Sequence, residues 1–236
     1  MNKARIIKSE WATDKIDEML DKYRPITVPV TIKISGKQKI LEFSEAEKIV
    51  RNAKLVSLEK CTCRDERKNC DGPIDVCVCM DEEAEEAMKE RGAWKTTHRK
   101  AMEALRIAHE AGLVHLAYET KGRGRIKIIC SCCACCCQTL SAITRFGYNP
   151  EIVESANVIS SRDPAKCTDC GICVQRCNFD AWGLVGGDVH HYPLKCSGCG
   201  VCASFCPAGA ITMVKRGEFK SAEARKRRKI IPSKAQ

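Results

Sequence analysis

Lys166-Cys167-Thr168-Asp169-Cys170-Gly171-Ile172-Cys173-Val174-Gln175-Arg176-Cys177 recurs 29 residues later as Lys195-Cys196-Ser197-Gly198-Cys199-Gly200-Val201-Cys202-Ala203-Ser204-Phe205-Cys206-Pro207. Both copies read C-x2-C-x2-C-x3-C, and Ala181 and Ala210 superpose in the same register. Three thiolates at this interval let one loop wrap a face of an inorganic cube while backbone N–H groups point at its sulfides. The run ligates [4Fe–4S] clusters, and its fourth cysteine serves the other cluster of a pair. The intervals therefore predict that Cys167, Cys170 and Cys173 share a cluster with Cys206, and Cys196, Cys199 and Cys202 share one with Cys177. Zinc competes for soft thiolates, but zinc sites usually take two cysteines from each of two separated knuckles. A repeat this short cannot bury a core alone, so the two copies are expected to pack against each other.

Outward from this stretch, the chain has 236 residues and 19 cysteines. A cysteine content of about 8% means either disulfides or metal. Residues Met1 to Glu10 contain no apolar segment of the secretory kind, and no run of some 18 apolar residues occurs anywhere. The expected location is therefore the cytoplasm, where thiols stay reduced and cysteine spacing points to metal or catalysis. The odd number of cysteines also fits full disulfide pairing poorly. The formal charge of +10 is concentrated at one end, since residues 214–236 hold nine Lys and Arg against two Asp and Glu. Iron-bound thiolates are anionic, so loaded clusters would cancel much of that excess.

Two further cysteine groups lie upstream. Cys61, Cys63, Cys70 and Cys77 are spaced C-x-C-x6-C-x6-C, with Cys79 as an extra. Four thiolates suffice for one cubane or one zinc, and the neighbouring iron–sulfur chemistry favours a cluster. Arg64 and Arg67 are candidates to donate to sulfides or thiolates, an interaction that tunes potential; two solvated arginines are an equal alternative. Cys130-Ser131-Cys132-Cys133-Ala134-Cys135-Cys136-Cys137 puts six thiols into eight residues. Adjacent cysteines on a regular strand or helix cannot all face one cubane. Some are expected to face one cluster and some another, or a non-cubane cluster bridges them. Storage of zinc or copper in the manner of a metallothionein is the alternative. His115 is a possible ligand beside Cys130, though an interior role is commoner; His190 and His191 read as a surface turn, and Trp182 as packing.

Residues 161–213 resemble bacterial-type two-cluster ferredoxins, over roughly a quarter of the chain. Asn178 departs from that pattern, which has proline after the fourth cysteine. A wider resemblance, to anaerobic ferredoxin-domain proteins, rests on Cys61-Thr62-Cys63-Arg64, Cys70-Asp71-Gly72-Pro73, Val76-Cys77, Gly112-Leu113-Val114-His115 and Ile129-Cys130-Ser131-Cys132-Cys133, together with the two ferredoxin runs. Ser131 stands where asparagine is usual. This resemblance implies an electron-transfer partner of a larger redox enzyme, with the upstream cysteines as cluster ligands. It implies no particular reaction.

Patterning supplies the frame. Residues 13–24 read as an amphipathic helix and 26–43 as a hairpin around Ser35-Gly36-Lys37-Gln38. Ser44 with Glu47 reads as a capping box for a helix to about Lys54. Residues 55–58 read as a strand, 81–91 as an acidic helix, and the stretch from Thr97 as a helix closed by Gly112. Gly122-Arg123-Gly124-Arg125 is a turn, 126–129 a strand and 140–146 helical, and Asn149-Pro150 and Ser160-Ser161 mark a boundary. The expected fold class is α+β: an N-terminal α/β cysteine-rich domain over 1–157, a ferredoxin-like domain with two [4Fe–4S] clusters and a pseudo-twofold βαβ repeat over 158–213, and a basic tail over 214–236.

That tail holds Arg225-Lys226-Arg227-Arg228-Lys229 with no aromatic neighbour, and reads best as an arm that docks on a partner subunit. The functional expectation is an iron–sulfur electron-transfer protein working with a redox partner or larger oxidoreductase complex, with nucleic acid disfavoured. The absence of G-x-G-x-x-G puts any flavin or nicotinamide on another polypeptide. An oxidoreductase whose active-site cluster is built from Cys61–Cys79 and Cys130–Cys137 is the alternative, followed by a redox-sensing regulator.

Overall fold

A computed structural model describes residues 38–119, 126–146 and 153–219. Strands and helices alternate: β1 (Gln38–Leu41), α1 (Phe43–Asn52), β2 (Val56–Glu59), α2 (Thr62–Arg67), β3 (Cys77–Met80), α3 (Glu82–Glu90), β4 (Trp94–Lys95), α4 (His98–Glu110), β5 (Val114–Glu119), β6 (Ile126–Cys132) and α5 (Gln138–Phe146). They are followed by β7 (Val153–Glu154), β8 (Val158–Arg162), α6 (Ile172–Arg176), β9 (Trp182–Val185), β10 (Asp188–His191), α7 (Val201–Ser204) and β11 (Ile211–Lys215). The fold is α+β. Seven strands form one sheet in the order β4-β2-β3-β6-β5-β1-β7, antiparallel except where β1 meets β7.

Alternation along the strands sorts the side chains onto two faces. Leu41, Val78, Met80 and Ala117 face α1 and α4, which bring Ala46, Val50, Ala101, Ala104, Leu105 and Ala108 into the main core. On the opposite face Cys79 packs with Ala84 and Ala87 of α3. Further along that face, Ile40, Val114 and Leu116 meet Leu140, Val153 and Phe179. Helices therefore cover both sides of the sheet.

Two helix ends illustrate the local rules. Thr97 caps α4, its Oγ1 accepting from Lys100 N at 3.3 Å, and Gly112 follows the helix at φ +80°. At α1 the capping residue is Glu42 rather than Ser44: the Glu42 carboxylate accepts from Ser44 N at 3.0 Å, and the helix starts at Phe43. A charged acceptor at the positive end of the helix dipole wins over a neutral hydroxyl.

The remaining strands make two small pairs. β9 and β10 form a hairpin across Gly186-Gly187, at φ +63° and +97°, and β8 pairs with β11. Each cysteine run thus lies within a strand–loop–helix–strand segment, β8 to β9 and then β10 to β11. His190 and His191 lie on β10 and not in a turn; the two glycines take the turn because they adopt positive φ freely. Ser160-Ser161 is inside β8 and not in a linker, and Ser160 is fully buried. The expected helix at 13–24, the first hairpin arm at 26–37, the turn at 122–125, the boundary at 149–150 and the basic block at 225–229 lie outside the described residues. No helix among the described residues is long and apolar enough to cross a membrane.

Candidate metal centres

In both C-terminal runs the loop closes on a glycine that serves as helix N-cap, Gly171 at φ +72° and Gly200 at φ +80°. Such a conformation lets the chain reverse tightly and bring successive thiols to one side. Cys167, Cys170, Cys173 and Cys206 line one cavity, walled by Ile172, Val189 and Ile211. Cys177, Cys196, Cys199 and Cys202 line a second, with Phe179, Trp182 and Met213. The fourth cysteine of each run thus turns to the other run's cavity.

The donor chemistry fits an iron–sulfur group. Phe179 N and Ala181 N donate to Cys177 Sγ at 3.4 and 3.3 Å, and Ala210 N donates to Cys206 Sγ at 3.3 Å. These N–H groups compensate negative charge on sulfur. Burial pushes the Cys173 thiol up to about 11 and the Cys202 thiol to about 12. Alone they stay protonated, so a metal must displace the proton for them to act as thiolates. Trp182 is buried, stacks on His191 at 4.3 Å and turns its indole N–H to Cys202. Ser160 Oγ lies 3.4 Å from Cys196 Sγ and 3.0 Å from His191 Nε2.

Upstream, the structure sorts the ten candidate cysteines differently from their order in sequence. Cys70 leaves Cys61, Cys63 and Cys77 and joins Cys133, Cys135 and Cys136, all four Sγ atoms lying within 4.8 Å of one another. The cause is α2: Cys61 is its N-cap, while Lys68 at φ +51° reverses the chain beyond it and sends Cys70 the other way. Cys61 meets Cys77, Cys77 meets Cys130, Cys130 meets Cys132, and Cys132 meets Cys137, thiol to thiol. Cys63 lies in the field of Cys137 and Cys61. Cys79 belongs to neither group, and its thiol donates to Glu59 at 3.2 Å.

Arg64 is 1% exposed and reaches across to the second cysteine segment. Its Nη1 donates to Pro73 O at 2.6 Å, and its Nη2 to Ser131 O at 2.9 Å and to Cys133 Sγ at 3.5 Å. Arg67 donates to Cys136 O and Asn69 to Cys135 O, at 2.8 and 2.9 Å. Arg64 is thus no solvated bystander, while Arg67 stays exposed and holds a carbonyl rather than a sulfur. Asn69 carried no signal in the sequence, because its partner is 66 residues away.

His115 is an interior residue. Its Nδ1 faces Ser131 Oγ at 3.3 Å, its ring stacks with His109, and burial pushes its pKa down to about 3. His109, unmarked in the sequence, stacks on Phe43 and faces Ser204 Oγ at 2.8 Å, joining α4 to α7. Asn178 donates to Gly112 O at 3.0 Å, a link that proline could not make.

Residues 189–212, which include the second cysteine run, match the 4Fe-4S binding domain family, Fer4. No curated protein matches the chain. The matched segment supports a [4Fe–4S] cluster and an iron–sulfur electron-transfer role.

Proposed function

We propose that this chain is an electron-transfer subunit or partner of a larger anaerobic oxidoreductase complex, with a two-cluster ferredoxin-like unit at 158–213 attached to a cysteine-rich unit at 1–157. The observation that carries the reading is the pair of four-cysteine cavities, the second of which overlaps the matched family segment. Cys167, Cys170, Cys173 and Cys206 would hold one [4Fe–4S] cluster, and Cys177, Cys196, Cys199 and Cys202 the other. Such clusters take and give one electron at a time, with potentials set by hydrogen bonds to sulfur and by exposure. The chain's own part is to bind, to keep water out with Phe179, Trp182 and Met213, and to offset sulfur charge with the N–H groups of Phe179, Ala181 and Ala210.

Upstream, Cys61, Cys63, Cys77, Cys130, Cys132 and Cys137 would hold a further cluster. Cys132 and Cys137 share one apolar cluster with Phe179, Cys177 and Cys199, so this group adjoins the second ferredoxin cavity. That adjacency favours a relay running from the first cavity through the second to the upstream group. Any flavin or nicotinamide, and the electron donor or acceptor, would belong to the partner, and the basic tail would be the docking arm. A cytoplasmic setting suits so many reduced thiols.

The test is a reductive titration of anaerobically purified protein followed by EPR, with iron and acid-labile sulfide counted per chain. At least two reducible [4Fe–4S] signals are expected. A colourless protein with no reducible signal would overturn the proposal. One observation favours a second reading, an oxidoreductase with an active-site cluster: six thiols converge upstream where four suffice. Substrate-dependent spectral changes that disappear in Cys130→Ser, with both ferredoxin signals retained, would support it.

A further inference from the structure

We propose that Cys70, Cys133, Cys135 and Cys136 hold a single tetrahedral metal ion, zinc or iron, which staples two remote segments together and stands off the electron path. The inference rests on the reading of the upstream cysteines as metal ligands and divides them into two sites of different kinds.

Distances carry it. Cys70 Sγ lies 3.7 Å from Cys133 Sγ and 3.8 Å from Cys136 Sγ, and Cys135 and Cys136 are 3.9 Å apart. Four sulfurs at about 2.3 Å from one tetrahedral ion are separated by about 3.8 Å, the edge of that tetrahedron. A cubane instead holds each thiolate on a different iron, pointing outward from its own corner. Among the described residues this is the one set of three or more His, Cys, Asp or Glu ligand atoms drawn so close together. The quartets around the two ferredoxin cavities are not, and the same coordinates therefore distinguish two kinds of site.

Charge points the same way. Arg64 is buried, its Nε has no hydrogen-bond partner, and no carboxylate pairs with it among the described residues. A buried guanidinium facing only carbonyls and thiols is costly unless those thiols are anionic. Four thiolates around a divalent ion leave a net charge of −2, which Arg64 beside Cys133 offsets. Arg67 and Asn69 hold the carbonyls of Cys136 and Cys135, and so aim the loop at Cys70 from outside the coordination shell.

Position gives the role. Cys133, Cys135 and Cys136 are in the core shared with α1 and α4, with Cys70 packed against it. Cys132 and Cys137 are in the separate cluster that holds Cys177 and Cys199. One ion thus ties Cys70 to residues 63 and more positions onward, a cross-link of the kind that couples metal binding to folding.

The test uses the full chain purified anaerobically. If the ion is zinc, zinc-edge X-ray absorption of the wild type shows one zinc per chain with a four-sulfur shell and no iron neighbour. If it is iron, mild oxidation yields one high-spin ferric EPR signal. In Cys70→Ser and Cys136→Ser one metal ion per chain is lost, while the reducible [4Fe–4S] signals persist. Loss of about four irons in either variant would make the site a cubane and overturn the proposal. So would a wild type with neither the zinc shell nor the ferric signal, a result that does not depend on the variants folding. Failure of the electron-transfer reading is separable, because it is scored by the wild-type reductive titration alone.

Discussion

The C-terminal quartets and the upstream cysteines use the same side chain in opposite ways. Residues 167–206 gather three thiols around each short loop, and the fourth cysteine beyond each following helix completes the eight. Both pockets are walled by Phe, Trp, Ile, Val or Met. The upstream groups draw each site from segments more than 50 residues apart, and one of them closes to single-ion distances around a buried arginine. Where one loop supplies most of the ligands, intervals in sequence reveal the site. Where helices and strands supply them, tertiary packing decides who meets whom.

The largest effect expected from this contrast lies in the second cavity. Cys199→Ala should remove about four irons per chain, and Cys177→Ala should remove the same cluster although it sits in the first run. Iron counting and EPR of the two variants check this. If Cys177→Ala instead abolishes the signal lost in Cys167→Ala, the crossing of fourth ligands is broken.

Arg64 comes next. Arg64→Leu strips the buried cation from beside Cys133 and leaves carbonyls and thiolates uncompensated, at a cost of about 3–5 kcal/mol. Arg64→Lys keeps the charge but loses the fork that spans Pro73 O and Ser131 O, so it should recover only part of that loss. Anaerobic denaturant titration measures both. Equal stability of Arg64→Leu and wild type would mean that the neighbouring thiols are neutral, and the contrast between the two regions would shrink to one of distance.

These two cases show how much could be read in advance. The second cysteine run, which the family match covers, the α+β class, α3, α4 with its Thr97 cap, and the strand entering Cys130 were legible because their signals are local: intervals, periodicity and capping. Cys61, Cys63, Cys70 and Cys77 look like one set along the chain, but α2 forms between them and Lys68 reverses the backbone, so Cys70 faces away. Asn69 and His109 had no local signal, because each acts on a segment far away in sequence. Ser160 looked like a linker residue and is buried in β8, a placement dictated by β11 across the ladder.

A smaller effect tests how tightly the local loops are built. Gly198 sits at φ +79°, and a Cβ there would come within 2.2 Å of the Val158 carbonyl oxygen. Gly209, at φ +57°, has open space around it. Gly198→Ala should therefore cost more than the ~1–2 kcal/mol of left-handed strain alone, and Gly209→Ala no more than that. Denaturation midpoints of the two variants decide. Equal midpoints would mean that the loop around Cys196–Cys202 yields easily, and that its intervals, not its packing on β8, define the cavity.

The smallest effect belongs to Cys79, which the partition leaves outside every site. Alternation on β3 sends Val78 and Met80 to the α1–α4 face and Cys79 to the α3 face, where no other cysteine packs. Burial, then Glu59 beside it, pushes its thiol up to about 12. It stays protonated at neutral pH, and with no second thiol packed beside it on this face, no metal is held there to displace the proton. Glu59 keeps its pairing with Arg91 when that thiol is removed. Cys79→Ala should accordingly leave the metal count and every reducible signal unchanged and lower stability by about 1 kcal/mol, the worth of one hydrogen bond. Elemental analysis and a denaturation curve measure the two halves of this prediction. A variant that loses metal would place Cys79 in the Cys61–Cys77 group, with Cys77 on the same side of β3.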